Sequence, residues 1–84
     1  MPQPAAKIRD GRLTATIWAN EKNQPDPESG EIGTFYSVDI VRSYKDASGT
    51  WKESSSFTGA ELLRVSNLAT AAYNEILRLR HEAA

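Results

Sequence analysis

Apolar and polar residues alternate along residues 35–58, and this alternation predicts two antiparallel strands joined by a tight turn. Asp46 and Gly49 suit the turn, because an aspartate side chain accepts backbone hydrogen bonds and glycine tolerates positive φ. With Tyr44 placed opposite Trp51, both rings are expected on the same face of the sheet. This hairpin is the central element of the predicted domain.

The segment before the hairpin contains a second alternating stretch. Residues 8–20 are predicted as one strand, with a turn or bulge at residues 9–12 near its start. Residues 1–7 contain two prolines and no periodicity, so they are expected to form a disordered tail. Residues 20–33 contain two prolines and four acidic residues, and we expect a mobile acidic loop there.

After the hairpin the spacing of apolar residues changes to three and four, which predicts an amphipathic helix over residues 59–81. Thr58 and Glu61 have the spacing of a capping box at the helix N-terminus. Residues 82–84 are expected to fray. The prediction is therefore a single α+β domain over residues 8–81, in which an antiparallel three- to four-stranded meander sheet precedes one long C-terminal helix.

The predicted helix also indicates a homodimer. At ~1.5 Å per residue it is about 30 Å long or more, which exceeds what a short sheet covers. Leu63 and Leu77 lie on a second flank, outside the main apolar stripe. A domain of roughly 65 ordered residues builds only a marginal core, so a symmetric dimer would cover this extra apolar surface.

Charge and cysteine content narrow the functional classes. The net charge is −1, which is a weak basis for nucleic-acid binding. Residues 21–31 hold four of the acids and one base, so the rest of the chain carries nine bases against seven acids. The sequence has no cysteine, no basic-then-apolar leader and no apolar run of membrane-spanning length, so we expect a soluble cytoplasmic protein without a membrane partner.

No catalytic or metal-binding motif is recognisable. His81 is the only histidine, and it lies at the end of the predicted helix, without a fixed partner for general base catalysis. Without cysteine or a second histidine no zinc or copper spacing exists, and no phosphate-binding glycine loop is present. We expect no enzyme activity, no cofactor, no metal and no small-molecule substrate.

Aromatic and basic residues are interleaved on the predicted sheet. This combination favours single-stranded nucleic acid, because rings stack on bases and cations bind phosphates. The candidate nucleic-acid-binding residues are Arg12, Trp18, Arg42, Tyr44, Trp51 and Lys52. The alternative is that Tyr44 and Trp51 share the face of Val38 and Ile40 and pack in the core.

The order of elements and several short motifs resemble the transcriptional positive cofactor four family of single-stranded-DNA-binding coactivators. The motifs are Val38-Asp39-Ile40, Arg42, Tyr44, the Gly49 turn, Trp51-Lys52 and Phe57-Thr58. The resemblance implies a dimer that binds single strands across curved sheets with basic and aromatic side chains. The chain also resembles small bacterial and phage-borne proteins with similar T-I-W, Y-S-V and R-S-Y-K-D segments, a resemblance that implies no particular role.

Two functional hypotheses follow from these observations. The first is a single-stranded nucleic-acid-binding module that acts as an accessory protein in transcription or DNA metabolism. The second is a protein–protein adaptor or inhibitor that uses the sheet or the helix flank and has no affinity for nucleic acid. The position of Trp51 and Tyr44 on the sheet is the observation that bears most directly on the choice.

Overall fold

An antiparallel sheet and one C-terminal helix form the protein, which is the α+β fold class that the sequence predicts. The computed structural model describes residues 3–21 and 33–83. The elements are β1 (Pro4–Asp10), β2 (Leu13–Glu21), β3 (Thr34–Lys45), β4 (Trp51–Ser54), a 3-10 turn (Gly59–Glu61) and α1 (Leu62–Ala83). The four strands pair with their neighbours in chain order, so the sheet is an antiparallel meander. Within the described ranges no helix is long and apolar enough to cross a membrane.

The N-terminal region differs from the prediction. The single strand expected over residues 8–20 is two strands, and residues 4–7 of the expected tail belong to β1. Gly11 has φ of 61° and starts a two-residue turn, so Asp10 pairs with Leu13 and the chain reverses. The helix-side residues are even-numbered in β1 and odd-numbered in β2, so the alternation changes phase at this turn. Residues 1–2 lie outside the described part.

The region after β2 agrees with the prediction only in part. Asn20 and Glu21 belong to β2 and pair with Phe35 and Thr34 of β3, so the start of the expected loop is strand. Gly33, the last residue of the expected loop, lies outside the strands, and residues 22–32 lie outside the described residues.

The hairpin of β3 and β4 is confirmed, but its second strand ends at Ser54, before the predicted end near residue 58, and its register is not the predicted one. Lys45 pairs with Trp51 and Tyr44 with Lys52, so the connection is one residue longer than expected. The Asp46 N–H donates to the Thr50 carbonyl at 2.9 Å, which fixes this longer loop. Because side chains alternate between faces, a shift of one residue places the Trp51 ring on the face opposite to Tyr44.

Asp46 organises the loop as the sequence suggests. Its Oδ1 atom accepts hydrogen bonds from the Ser48 N–H at 2.9 Å, the Ser48 hydroxyl at 2.6 Å and the Thr50 N–H at 3.0 Å. The Ser48 hydroxyl and the Thr50 N–H together lower the pKa of Asp46. Gly49 has φ of 83°, a conformation that L side chains rarely adopt, so glycine is needed at this position.

The helix begins as predicted and ends slightly later. The capping box at Thr58 forms: the Glu61 carboxylate accepts hydrogen bonds from the Thr58 N–H at 2.9 Å and the Thr58 hydroxyl at 3.0 Å. These contacts, the Thr58 N–H first, lower the pKa of Glu61. The α-helix continues to Ala83, so the fraying expected from residue 82 is not seen at residues 82–83.

The core lies between α1 and one face of the sheet and is small. Its buried apolar residues are Leu13, Ala15, Ile17, Leu68 and Ala72. The helix contributes only two of them, although apolar residues recur along its whole length. Leu63 remains 79% exposed and Tyr73 remains 63% exposed, so much of the apolar surface of the helix has no cover within the described chain.

Candidate nucleic-acid interface

The sheet has one face covered by the helix and one open face. Leu13, Ala15 and Ile17 of β2 point to the helix, so the residues between them point to the open face. The strand registers extend this assignment to the other three strands. The charged and aromatic residues that this alternation places on the open face include Lys7, Arg9, Trp18, Asp39, Lys45 and Trp51.

Trp51 is the most prominent aromatic residue of the open face. It lies at the start of the short strand β4, and its side chain is 59% exposed. The Nζ atom of Lys45, its cross-strand partner, lies 5.2 Å from the centre of the indole ring. This cation–π contact orients the ring without burying it. An exposed and oriented indole can stack on a planar ligand.

Two shallow cavities adjoin the Trp51 ring. One, of about 250 Å³, is lined by Trp51 together with Arg9, Arg12, Thr14 and Ser43. The other, of about 460 Å³, is lined by Trp51 with Ser43, Lys52 and Glu53. The first combines an aromatic ring with two guanidinium groups, which suits a planar group joined to an anion.

Basic residues outnumber acidic ones on the open face. The exposed bases on this side are Lys7, Arg9, Lys45 and, from the β1–β2 turn, Arg12. Among the described residues, the acids on this side are Asp39 and Glu53. The described part of the open face is therefore positive, although the chain as a whole carries −1. A positive surface around an exposed ring is the electrostatic requirement for binding an anionic strand.

Trp18 lies at the other end of the open face. It pairs with Ser37, whereas Trp51 pairs with Lys45, so about 26 Å of strand separates the two indoles. The Trp18 Nε1 atom donates a hydrogen bond to Asp39 Oδ2 at 2.9 Å, and the side chain is half-buried. Trp18 is consequently held by the sheet, and the Asp39 carboxylate beside it is unfavourable for a phosphate.

Three of the six candidate residues lie on the helix side of the sheet. Arg42 Nε lies 3.5 Å from Glu61 Oε1 and donates to the Ser56 carbonyl at 3.3 Å, and its guanidinium lies 5.5 Å from the centre of the Tyr44 ring. Lys52 alternates to the same side and its Nζ lies 3.3 Å from Asp46 Oδ2. These contacts join the hairpin to its own loop and to the helix start.

The six candidates therefore do not form one surface. Arg12 and Trp51 line the same cavity, and Trp18 shares the open face at a distance. Arg42 and Tyr44 lie on the opposite face, and Lys52 reaches the second cavity from the edge strand. The interpretation that both Tyr44 and Trp51 pack in the core is wrong for Trp51, because the register exposes it.

The structure adds three bases to the candidate surface. Lys7 and Arg9 belong to β1, which the sequence did not distinguish from a tail and a turn. Lys45 follows Tyr44 directly, and only the register with Trp51 shows that it shares the open face. The alternation of Lys7 and Arg9 around Ile8 was the signal available in the sequence.

Comparison with known proteins gives no assignment: no family model, curated protein or solved structure matches this chain. The chemistry of the open face is therefore the basis for inferring a function.

Proposed function

We propose that the protein binds single-stranded nucleic acid on the open face of its sheet. The observation that carries this proposal is the exposed Trp51 ring, which adjoins a cavity lined by Arg9 and Arg12. An unpaired base offers a planar face to the indole, and its phosphate offers an anion to the guanidinium groups. A base inside a duplex cannot reach the ring, because both of its faces are already stacked.

The two ends of the open face have different roles in this proposal. Trp51 supplies the main stacking contact, and its ring lines both cavities while it contacts Lys45. Lys7, Arg9 and Arg12 contribute phosphate contacts along β1 and the β1–β2 turn. Binding of this kind depends on charge and stacking, so it tolerates different base sequences. It suits an accessory protein in transcription or DNA metabolism, and the cysteine-free sequence suits the reducing cytoplasm.

A homodimer is part of the same proposal. The core has few buried residues, and Leu62, Leu63 and Tyr73 are more than half exposed on the helix. Exposed large apolar groups on so small a domain favour association with another chain. A two-fold dimer presents two copies of the open face, so each dimer could hold two strands or two parts of one strand.

The salt dependence of binding tests the proposal. Fluorescence anisotropy of a labelled oligo-dT strand should show affinity that falls linearly with salt on logarithmic axes. If Lys7, Arg9, Arg12 and Lys45 each neutralise one phosphate, the slope is about −3 per protomer, since a single strand contributes about −0.7 for each phosphate. Arg9→Ala should reduce the magnitude of that slope by about 0.7.

Arg80→Ala is the matched control, because it removes the same charge from an exposed position on α1, away from the sheet. This variant should show the same slope of affinity against salt as the wild type. Absence of any anisotropy change at low salt would refute the nucleic-acid proposal. A slope reduced equally by Arg9→Ala and Arg80→Ala would show that the open face is not the binding surface.

A protein–protein adaptor is the second candidate, and the exposed helix residues favour it. Leu63, Tyr73 and Leu77 recur along one side of α1, as in helices that fit an apolar groove of another protein. An adaptor would retain its partner in high salt and after nuclease treatment, whereas a complex bridged by nucleic acid would dissociate. Co-purification under these two conditions separates the candidates.

A further inference from the structure

The outer edge of β3 is the longest unpaired strand edge in the described part of the chain. β3 contains 12 residues, but β4 pairs only with Arg42–Lys45, because β4 contains four residues. Among the described residues, no strand pairs with residues 34–41 on that side. An open edge of this length is a template for another strand.

The backbone direction of this edge follows from two hydrogen bonds. The Ser43 N–H donates to the Arg12 carbonyl at 2.9 Å, so odd-numbered residues of β3 direct their backbone groups to β2. The Asp46 N–H donates in the other direction, to the carbonyl of Thr50 just before β4, so even-numbered residues face outward. The N–H and C=O groups of residues 34, 36, 38 and 40 therefore point to the open edge.

The two edges of the sheet differ in their protection against pairing. β1, at the other edge, begins with Pro4 and carries the exposed bases Lys7 and Arg9, which are features that discourage edge-to-edge association. The open edge of β3 contains no proline, and Asp39 is its one charged residue between positions 34 and 41. The edge of β3 lacks these protective features, so it is the edge at which another strand can pair.

We propose that β3 of a second copy pairs antiparallel with this edge about a two-fold axis at Ser37, which joins two sheets into one. The inference rests on the proposed homodimer and specifies its interface, but it does not depend on nucleic-acid binding. It makes the same seven residues, 34–40, the contact surface on both protomers.

Backbone geometry and the position of β4 select this axis. Outward groups occur only on even-numbered residues, so an even residue must face an even residue of the partner. An axis at Val38 would place the partner's Thr34 opposite Arg42, where Ser54 of β4 already lies. An axis at Ser37 places the partner's Thr34 opposite Ile40 and clears β4. It also uses all four outward residues of each protomer, giving about eight hydrogen bonds.

The side chains at this interface are compatible with pairing. On the helix side, Tyr36 lies opposite the partner's Val38, which joins an aromatic ring to a β-branched residue. On the open face, Ser37 lies opposite the partner's Ser37, at the axis itself. Phe35, which is 48% exposed in the protomer, gains a neighbouring strand. No like charges face each other across the axis.

Disulfide trapping of Ser37→Cys tests the axis directly. The sequence contains no cysteine, so the engineered thiol has no competing partner. Two residues that face each other at the axis as a non-hydrogen-bonded pair have Cα atoms about 4.5 Å apart, within the range of a disulfide. Under mild oxidation we expect a covalent dimer in good yield. Thr16→Cys is the control, because it lies on the same face of the interior strand β2 and should cross-link at most weakly.

A proline substitution tests the backbone pairing. Val38→Pro removes an outward N–H from each protomer and adds a ring at the edge, while the bonds between β3 and β2 remain. We expect its dimer dissociation constant, measured by sedimentation velocity, to rise at least about tenfold above that of Val38→Ala, which keeps the N–H. Circular dichroism verifies that both variants fold. If Val38→Pro unfolds, the comparison of the two cysteine variants decides alone.

Three results would overturn the inference: a wild-type protein that stays monomeric, equal cross-linking of the two cysteine variants, or equal dimerisation of the proline and alanine variants. The oligo-dT assay separates these outcomes from the proposed function. A protein that binds oligo-dT but fails the edge tests loses only the interface, and one that dimerises through β3 without binding oligo-dT loses only the nucleic-acid proposal.

Discussion

Trp51→Ala is the substitution most informative about the open face, because it removes the exposed ring and leaves every base of the surface in place. One base stacked on one aromatic side chain contributes about 1–3 kcal/mol of binding free energy. Loss of the Trp51 ring should therefore weaken binding of oligo-dT about five- to 150-fold at fixed salt. Because the substitution changes no charge, the slope of affinity against salt should stay the same.

Fluorescence anisotropy at low salt measures this loss, and Tyr44→Leu provides the comparison. Tyr44 lies on the helix side of the hairpin, so its replacement should change the affinity by less than about twofold, although the cation–π contact with Arg42 is lost. The two substitutions thus distinguish the faces of the same hairpin. Thermal unfolding of each variant shows that the sheet is intact.

The reasoning would be refuted if Tyr44→Leu weakened binding as much as Trp51→Ala while both variants remained folded. That result would mean that the nucleic acid binds on the helix side of the sheet, or that β3 and β4 pair in a different register in solution. An unchanged affinity in Trp51→Ala would show instead that binding is purely electrostatic. In that case the whole affinity for oligo-dT would depend on the salt concentration.

Two further predictions concern stability. Ile17→Ala should lower the free energy of unfolding, measured by urea denaturation, by about 2–5 kcal/mol, because it leaves a cavity in a core with few other residues. Thr16→Ala on the open face should lower it by less than about 1 kcal/mol. Comparable losses in the two variants would contradict the assignment of faces. The pKa of Asp46 is lowered in the folded protein. Its carboxylate therefore stabilises the fold at pH values above the ordinary pKa of 3.8, and this stabilisation is lost as the pH falls through the lower pKa of the folded protein. The difference in melting temperature between wild type and Asp46→Ala should hence be constant near pH 7 and shrink below pH 3.8, and a difference that grows on acidification would contradict it.

The parts of the fold with local signals were predictable from the sequence. The turn at Asp46 and Gly49 and the capping box at Thr58 and Glu61 each depend on residues within a few positions of one another. Such signals survive without knowledge of tertiary contacts. They located the end of β3, the start of β4 and the start of the helix, and together with the alternation of β2 they define the α+β class.

The first strand was not predicted as a separate strand, because its local signal is weak. Among residues 4–7 the sequence offers a proline, two alanines and a lysine, a composition with weak preference for strands. These residues become a strand because β1 pairs with residues 13–18 of β2, with one irregularity between Pro4 and Ala6. The bases Lys7 and Arg9 were missed for the same reason, since their position on the open face exists only once β1 is paired.

The register of the hairpin determines which interpretation of the aromatic residues is tenable. Asp46 accepts hydrogen bonds from both Ser48 and Thr50, and its own N–H reaches the Thr50 carbonyl, so Thr50 belongs to the loop and not to β4. A loop without Thr50 would pair Tyr44 with Trp51 and turn both rings toward the helix, where they could only pack. The longer loop instead keeps Tyr44 beside Arg42 at the helix start and turns Trp51 to the positive open face. One loop residue thus separates a ring on the helix side of the sheet from an exposed ring on the open face.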